Sequence, residues 1–554
     1  MYFRTAGRVG LLAAVATAAA MGLASPLAAQ EGPWALTNAR IQTVSRGVIE
    51  RGTVLIRNGL IEAVGPSVPV PPDARVIDLT GRTVTPGILD LTSSLGLPAA
   101  PAPTGGGGGG AQAAQSAGPR PGTQPERSAS AELRISPADI RPLREAGITA
   151  VLVAPARGLF RGRSALVPLR DSAGPSDVVR GTVAAHFGYQ GVPGDYPGTL
   201  LGVIAHQRQR LYDARRHGLL LDRWRQNPKG MTRPENDPAL EALVPVVRGE
   251  MPAFVEASSE NEIRRAARLA KEFNLKLTVV GATEGFQAID ALAGQSAVVS
   301  TNFPRPTEMT RWSYRISLKP PAGDSAAWAR EGVRLAQGNA AALHRAGVKF
   351  ALASGGARPA DFLGNVRKAI AAGLPASAAL EALTLRAAEL AGAGEVLGSI
   401  EAGKIANLVV TDGDLLSDSA RVRTVFVDGI RYEVTPPAVR AVAAAGGTND
   451  GAGAVQVAGA WNMTMNSPQG VMEILMQFTQ TGDTFAGTLT SSLGEQQVED
   501  GQVSGRVLTW KSTIQFGGQT MTLSYRADVD GNRMSGTAEL GTFGSSPFTA
   551  ERRP

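Results

Sequence analysis

Between residues 135 and 395 the chain alternates short apolar runs with segments whose apolar residues recur at helical spacing. The runs GITAVLVAP, FVEASS, LKLTVVGATEG and VKFALASGG have the length and composition of buried strands. The segment SENEIRRAARLAKEFNL lies between two of them, and its Ser259 and Glu262 have the spacing of a capping box at the start of a helix. This alternation predicts an α/β fold, a (β/α)8 barrel of the TIM type over residues 86–395.

Both flanks of this region alternate apolar and polar residues in the manner of strands. Before it come ALTNARIQTV, TVLIRNGLIEAVG and ARVIDLTGRTVTPG, and Asn58-Gly59 between two such runs predicts a hairpin. After it come NLVVTDGD and RVRTVFVDGIRYEV. We expect residues 31–85 and 396–435 to combine into one composite β-sandwich domain.

The last hundred residues show a different pattern, in which short runs of alternating apolar and polar residues are separated by turn signals. Thr481-Gly482-Asp483 and Asp530-Gly531-Asn532 are two of these turns. The pattern predicts a separate antiparallel β domain over residues 456–554, a sandwich or a small barrel. Residues 436–455, rich in Gly and Ala, are interpreted as the linker to it.

Two segments are expected to stand outside the folded domains. Residues 1–30 carry two arginines, an apolar run and then small residues, the pattern of a Sec-type signal peptide. It implies a periplasmic or secreted protein, with no transmembrane span once the signal is removed. Residues 98–133 are rich in Gly and Pro and cannot bury an apolar face, so we predict a disordered insertion in the barrel.

Composition excludes several kinds of chemistry. The chain has no cysteine, which excludes thiolate nucleophiles, disulfides and cysteine-held metal clusters. Its net charge of +7 is small for 554 residues, and its basic residues do not cluster with aromatic ones, so a nucleic-acid partner is not expected.

Three stretches carry a family resemblance: DLTGRTVTPGILD, YPGTLLGVIAHQRQRLYDA and LGSIEAGKIANLVVTDGD. Over residues 35–435 the chain resembles the metal-dependent amidohydrolase superfamily, in particular its secreted imidazolonepropionase-like and prolidase-like branch. Asn407 departs from the pattern, because an aspartate is usual there. The resemblance implies a TIM-type barrel that hydrolyses C–N bonds of amides, peptides or cyclic amides with zinc or another divalent metal.

The resemblance also implies a ligand set: a His-x-His pair ending the first barrel strand, one histidine each from the fifth and sixth strands, and an aspartate after the eighth. This chain has Thr92 and Ser94 at the pair, and Glu256, Gly281 and Gly355 at the other positions, with Ser354 as the last if the alignment shifts by one. Hydroxyls are weak ligands for zinc-class metals and glycine has no side-chain ligand. We therefore expect a degenerate site without a metal cofactor.

The four histidines, His186, His206, His217 and His344, form no short metal-binding motif, and we expect structural or surface roles for them. His186 is a pocket candidate, because the GYQGVPGDYPG that follows could cover the barrel mouth. Arg161 and Arg163, placed on a loop after a strand, could bind an acidic ligand or be solvated.

Three carboxylates, Asp90, Glu256 and Glu284, fall at or just after predicted strand ends, where barrel sites are built. If Glu256 and Glu284 converge, they could form an acid/base pair or bind a hard cation such as calcium or magnesium. The alternative is that Asp90 and Glu284 only make backbone hydrogen bonds.

Three functions stay open at this point. The first is a catalytically degenerate exported protein that binds a small-molecule or peptide ligand, or forms a homo- or hetero-oligomer with an active paralogue. The second is an active hydrolase with a carboxylate-based or metal-free site. The third is an envelope-binding protein that acts through its C-terminal β domain.

Overall fold

The computed structural model describes residues 33–98, 122–171, 174, 177–191, 196–303, 325–434, 456–467, 470–491, 494–516, 519–539 and 545–553. The predicted signal peptide, residues 99–121 of the predicted insertion and residues 435–455 around the predicted linker lie outside the described residues. The chain divides into two compact units, Met1–Ala438 and Val439–Pro554. In the described part, no helix combines the length and apolar character needed to cross a membrane.

The strands of the first unit are β1 (Trp34–Gln42), β2 (Val48–Arg57), β3 (Leu60–Gly65), β4 (Arg75–Asp78), β5 (Arg82–Pro86), β6 (Ile88–Ser93), β7 (Ile148–Val153), β8 (Phe160–Arg163), β9 (Ala165–Pro168), β10 (Ala185–Phe187), β11 (Ala253–Ala257), β12 (Leu277–Gly281), β13 (Ser296–Ser300), β14 (Lys349–Ala353), β15 (Leu408–Asp412), β16 (Arg421–Val427) and β17 (Ile430–Glu433). Its described helices are α1 (Ala129–Glu132), α2 (Pro137–Glu145), α3 (Leu200–Gln226), α4 (Pro238–Val247), α5 (Glu260–Phe273), α6 (Ile289–Leu292), α7 (Ser325–Arg345), α8 (Pro359–Ala371), α9 (Ala376–Leu383) and α10 (Leu385–Leu390).

The two flanks of the barrel share one eight-stranded sheet, in the order β17-β16-β15-β5-β1-β2-β3, with β4 paired to β1. β15 runs antiparallel to β5, with Leu408 opposite Pro86, and so joins the two flanks. Asn58 and Gly59 both have positive φ in the turn between β2 and β3, as the Asn-Gly signal predicts. A single sheet from both flanks is therefore present, while its two-layered sandwich form stays a prediction.

The barrel is built from two sheets, β6-β7-β9 and β14-β13-β12-β11-β10-β8. β10 to β14 are parallel to one another, as expected for βα units. Backbone bonds between Ser164 and residues 183–184 connect β9 to the chain entering β10. Apolar side chains from both sheets pack together inside the barrel: Leu89, Leu91, Ala150, Leu152, Leu166, Phe254, Val298 and Ala351. This interior cluster shows the closed α/β barrel that the sequence predicts.

The structure differs from the sequence prediction around β8 and β9. β9 is antiparallel to β7, and β8 is antiparallel to β10, so the βα alternation is interrupted here. Arg161 and Arg163 consequently lie in a strand and not on a loop. Residues 122–133, assigned to the disordered insertion, are ordered: Thr123 and Ser128 form bridges to Phe160 and Arg163. The stretch FRGR lacks an apolar run, and its partners come from distant segments, so the sequence carries no local signal for it.

Helix α5 is the element that the sequence predicts best. Ser259 Oγ accepts from Glu262 N at 3.4 Å, and the Glu262 carboxylate accepts from Ser259 N at 3.1 Å, which confirms the capping box. The apolar side chains Ile263, Ala266 and Phe273 are buried against the barrel strands. The helix begins directly after β11, and its capping box fixes the short loop, residues 258–259, that follows this strand.

The second unit is an antiparallel β-barrel made of β18 (Gly459–Ser467), β19 (Gly470–Thr481), β20 (Thr484–Ser491), β21 (Gly494–Gln497), β22 (Glu499–Ser504), β23 (Val507–Phe516), β24 (Gln519–Asp530), β25 (Arg533–Glu539) and β26 (Ser545–Arg552). The sheet order is β19-β18-β26-β25-β24-β23-β22-β20-β21, and pairing of β19 with β20 closes it. Trp510 stacks on Tyr525 inside, with ring centroids 4.8 Å apart. A separate C-terminal antiparallel β unit, as the sequence predicts, is therefore present.

Candidate active site

The C-terminal ends of the barrel strands bring the five expected ligand positions to one end of the barrel. In ring order β6, β7, β9, β10, β11, β12, β13, β14, the first strand carries Thr92 and is followed by Ser94. The fifth strand carries Glu256, the sixth ends at Gly281, and Gly355 follows the eighth. Parallel strands place these ends on the side where barrel enzymes build their sites.

Four residues join the first strand to the eighth, and we call Asp90, Thr92, Ser354 and Gly355 the closure cluster. Asp90 is buried, and its Oδ1 accepts from Thr92 N at 3.1 Å, Thr92 Oγ1 at 3.0 Å and Ser354 N at 3.1 Å. Thr92 Oγ1 also accepts from Gly355 N at 2.9 Å. Burial raises the pKa of Asp90 above its ordinary value, although the hydrogen bonds from Ser354 and Thr92 oppose this.

Gly355 is held in a conformation that leaves no room for a side chain. Its φ is +61°, and a Cβ built there would lie 1.8 Å from Ser300 Oγ. Asn302 Nδ2 donates to the Gly355 carbonyl at 3.2 Å, and Asn302 N donates to Ser300 Oγ at 3.2 Å. Ser300 and Asn302, at the end of the seventh strand, thus occupy the space that a residue larger than glycine needs.

Gly281 is similarly confined. Its φ is +96°, and a Cβ there would lie 2.7 Å from Ser258 Oγ. Ser94, the remaining substituted position, lies in the turn after β6, where its carbonyl accepts from Leu97 N at 3.1 Å. The backbone at these two positions is therefore arranged by local packing and turn formation.

Glu256 pairs with a buried arginine. Arg161 Nη1 donates to Glu256 Oε2, while Arg161 Nε donates to the Gly158 carbonyl at 3.2 Å. The Arg161 side chain is only 9% exposed, whereas that of Glu256 is 45% exposed. The ion pair holds one end of β8 at the mouth of the barrel. The charge of Arg161 balances that of the partly exposed Glu256 carboxylate.

His186 lies inside the barrel beside this pair. It is opposite Phe254 of the neighbouring parallel strand, so both side chains point to the barrel interior, and the two rings are 5.3 Å apart. Burial, and to a lesser extent the charge of Arg161, lowers the His186 pKa to about 3. Within the described residues its Nε2 has no hydrogen-bond partner. The imidazole is therefore neutral at physiological pH.

Glu284 lies at the N-terminal end of α5 and not beside Glu256. Its side chain is buried, and its Oε2 accepts from Glu260 N at 2.8 Å in the first turn of α5. A carboxylate at this position compensates the positive end of the helix dipole. Glu256 and Glu284 thus have different partners, an arginine side chain and a helix N-terminus, and no contact between the two carboxylates is seen in the described structure.

The other candidates do not join this group. Arg163 Nη2 donates to the Glu126 carbonyl at 3.1 Å, in the segment that precedes α1. His206 Nε2 lies 3.1 Å from Thr123 Oγ1, and His217 Nε2 lies 3.9 Å from a Glu241 carboxylate oxygen. His344, on α7, is exposed.

Sequence reasoning missed Ser258, Ser300 and Asn302, which fill the space around the two glycines. Only their positions could have indicated them, because they lie directly after β11 or at the end of β13, where a barrel builds its site. The residue types alone gave no indication, because serine and asparagine are common in loops.

The residues at the expected ligand positions do not fit a zinc-class metal. They offer two hydroxyls, one carboxylate that is already bonded to Arg161, and two glycines. Thr92 Oγ1 is committed to Asp90 and Gly355 N. Throughout the described ranges, no three His, Asp or Glu side chains are grouped so that they could hold a metal ion.

Comparison with known proteins finds similarity to amidohydrolases in part of the sequence and in the fold. The amidohydrolase family model matches residues 331–431. Among solved structures, an amidohydrolase from Thermotoga maritima MSB8 is 23% identical, with a TM-score of 0.59 over 72% of this chain and 100% of that one. A prolidase complexed with N-methylphosphonate-L-proline and a Xaa-Pro dipeptidase with bound methionine are each 17% identical, with TM-scores of 0.43 over 73% of this chain and 100% of theirs. No curated protein matches the chain. The family match is confined to residues 331–431, and the Thermotoga maritima structure shows that the first unit shares the barrel fold of an amidohydrolase.

Proposed function

We propose that this protein is an exported, catalytically degenerate amidohydrolase that binds a small-molecule or peptide ligand or pairs with an active paralogue. The observation that carries the proposal is the hydrogen bond from Gly355 N to Thr92 Oγ1. In a metal-binding relative, the residues at these two positions would both direct ligands to the ion. Here one bonds to the other, and hydrogen bonds between protein groups join the first strand to the eighth.

The packing around Gly355 supports the same conclusion. A metal site that had lost only one ligand would keep space for it, whereas Ser300 and Asn302 occupy that space here. At Gly281 an added Cβ would approach Ser258 Oγ to 2.7 Å, so the Ser258 hydroxyl would have to turn away. Close packing at these glycine positions is what we expect of a site that does not need a metal.

The active alternative depends on Glu256, and its contacts disfavour that role. A general base or a cation ligand needs free carboxylate lone pairs directed at the substrate or the ion. One oxygen of Glu256 is engaged by the buried Arg161 guanidinium.

Export of the protein and envelope binding by residues 456–554 rest on the sequence and stay predictions.

Metal analysis of the purified full chain tests the proposal directly. After the chain is incubated with zinc, manganese or iron(II) and passed through a desalting column, we expect far less than one equivalent of metal to remain, because the expected positions lack imidazoles. Mass spectrometry of the eluted protein measures this. Stoichiometric retention of any of the three metals would contradict the degenerate assignment.

An activity panel separates the first two functions. We expect no turnover of dipeptides, N-acyl amino acids or cyclic amides above that of the buffer. Should turnover be found, Glu256→Gln, compared with the exposed Glu250→Gln, decides whether Glu256 takes part. Loss of turnover in the first variant alone would support a carboxylate-based enzyme, and equal turnover in both would remove Glu256 from the mechanism.

A further inference from the structure

Helix α3 carries an unusual concentration of exposed apolar side chains. Leu201 is 81% exposed and Leu219 is 66% exposed, and Tyr212 lies between them at 45%. Leu200, on another face of the same helix, and Tyr196, just before the helix, are also exposed. Single exposed leucines are common on protein surfaces, but a group of them on one helix indicates a surface that contacts something.

The exposed residues lie on one line along the helix. Leu201 and Leu219 are 18 positions apart, which is about five turns, and Tyr212 falls within about 20° of the line between them. We call the set the outer stripe, and it consists of Leu201, Ala205, Arg208, Tyr212, Arg215 and Leu219. The opposite face, with Val203, Leu211 and Ala214, is buried in the core of the unit. α3 thus packs through one face and presents the outer stripe on the other.

The outer stripe is symmetric about residue 210. If a second α3 lies antiparallel across it, residue i faces residue 420 − i of the second copy. Leu201 then faces Leu219, Ala205 faces Arg215, and Arg208 faces Tyr212, and each pairing occurs twice. Such a two-fold pairing is how most identical chains associate, and the spacing of the outer stripe matches the seam of an antiparallel helix pair.

Charge at the centre of the outer stripe is complementary under this symmetry. Glu272, on the neighbouring α5, accepts from Arg208 Nε at 2.9 Å, Arg208 Nη2 at 2.8 Å and the Tyr212 hydroxyl at 2.8 Å. In the antiparallel pairing Arg208 of one copy faces Tyr212 of the other, whose hydroxyl is bonded to Glu272, so a positive and a negative group come together there. The Arg215 guanidinium lies over the Phe273 ring, 5.2 Å from its centroid, and faces the small Ala205 of the second copy. No arginine of the outer stripe directly opposes another.

We infer that the outer stripe of α3 is an interface between two copies of this chain, paired antiparallel about residue 210. The occupant is a second copy because the residue pattern complements itself: leucine meets leucine at both ends, and arginine meets tyrosine and glutamate at the centre. The inference does not depend on whether the barrel binds a ligand or holds a metal.

Sedimentation velocity of the full chain over a concentration series tests this interface. The wild type should dimerise, and Leu201→Lys or Leu219→Glu should each weaken the dimer about tenfold or more, because each places an unpaired charge against a leucine. The matched control is Leu200→Lys, which changes an exposed leucine one position away and off the stripe, and it should leave the dimer unchanged. Far-UV circular dichroism checks that each variant is folded.

The double variant Leu201→Lys/Leu219→Glu tests the register. In the antiparallel pair the lysine introduced at position 201 meets the glutamate introduced at position 219 of the second copy, so the double variant should dimerise more tightly than either single variant, with partial recovery because an exposed ion pair is weak. A parallel pair would oppose like charges and stay dissociated. A monomeric wild type, an unaffected dimer in both single variants, or a double variant without recovery would each overturn the proposal. A monomer that cosediments with anionic phospholipid vesicles would also overturn it, and would assign the stripe to a membrane surface.

Discussion

Gly355→Asp will destabilise the first unit by about 3 kcal/mol, because the new side chain collides with Ser300 in a backbone conformation that favours glycine. This change restores the aspartate that the family resemblance leads one to expect after the eighth strand. At φ +61° a Cβ would lie 1.8 Å from Ser300 Oγ and 2.7 Å from Ser300 Cβ, so Ser300 or the backbone must move. Urea unfolding followed at 222 nm measures the loss, since the described helices all belong to the first unit.

Gly356→Asp is the matched control for this change. Gly356 also has positive φ, at +81°, but its added Cβ meets nothing within 4 Å. The same residue introduced one position away should therefore cost only about 1 kcal/mol. Ser300→Gly in the Gly355→Asp background should recover much of the difference. Equal losses at positions 355 and 356 would show that Ser300 does not close the site.

The sequence contains enough information to predict most of the strands near the site. The runs ending in Glu256, Gly281 and Ser354 are apolar and bounded by turn residues, so β11, β12 and β14 could be read directly. The capping box and the helical spacing of the apolar residues predict α5. Three of the five substituted ligand positions, Glu256, Gly281 and Gly355, follow from those strands, because each lies at or just after a strand end.

The contacts that replace the ligands could not be predicted in the same way. Ser300 reaches Gly355 only because β13 and β14 pair with Ser300 opposite Ala353, and a register between segments about 50 residues apart is not encoded locally. The Arg161–Glu256 pair joins residues 95 positions apart. Such pairs form only when the barrel closes. The sequence therefore shows which expected metal ligands are substituted, but it does not show which contacts occupy their positions.

Closure of the barrel depends on side chains at one point. The backbone pairings described for the barrel leave β6 and β14 in different sheets. The closure cluster bonds their ends, since Asp90 on the first strand accepts from Ser354 N after the eighth. This makes Asp90 the second position at which a single change should have a large effect.

Asp90→Ala should cost about 3 kcal/mol or more, because three buried donors lose their acceptor. The donors are Thr92 N, Thr92 Oγ1 and Ser354 N. The chain supplies its own control in Asp78-Leu79-Thr80, which repeats the Asp-Leu-Thr of residues 90–92. Asp78 accepts from Thr80 N at 3.1 Å and Thr80 Oγ1 at 2.7 Å, but it is exposed. Asp78→Ala should cost far less in the same urea experiment, because water replaces the lost acceptor.

The asparagine variants at these two positions should show opposite pH dependence. Burial raises the pKa of Asp90, so the folded state holds its proton more tightly than the unfolded state. The stability of the wild type relative to Asp90→Asn should therefore be greatest below the ordinary value near 3.8 and fall as the pH rises through the folded pKa. Hydrogen bonds from Thr80 and Asn38 lower the pKa of Asp78, so wild-type stability relative to Asp78→Asn should instead fall as the pH drops. Two curves with the same sign would contradict the burial of Asp90, because burial is what raises its pKa while hydrogen bonds at the exposed Asp78 lower the pKa there.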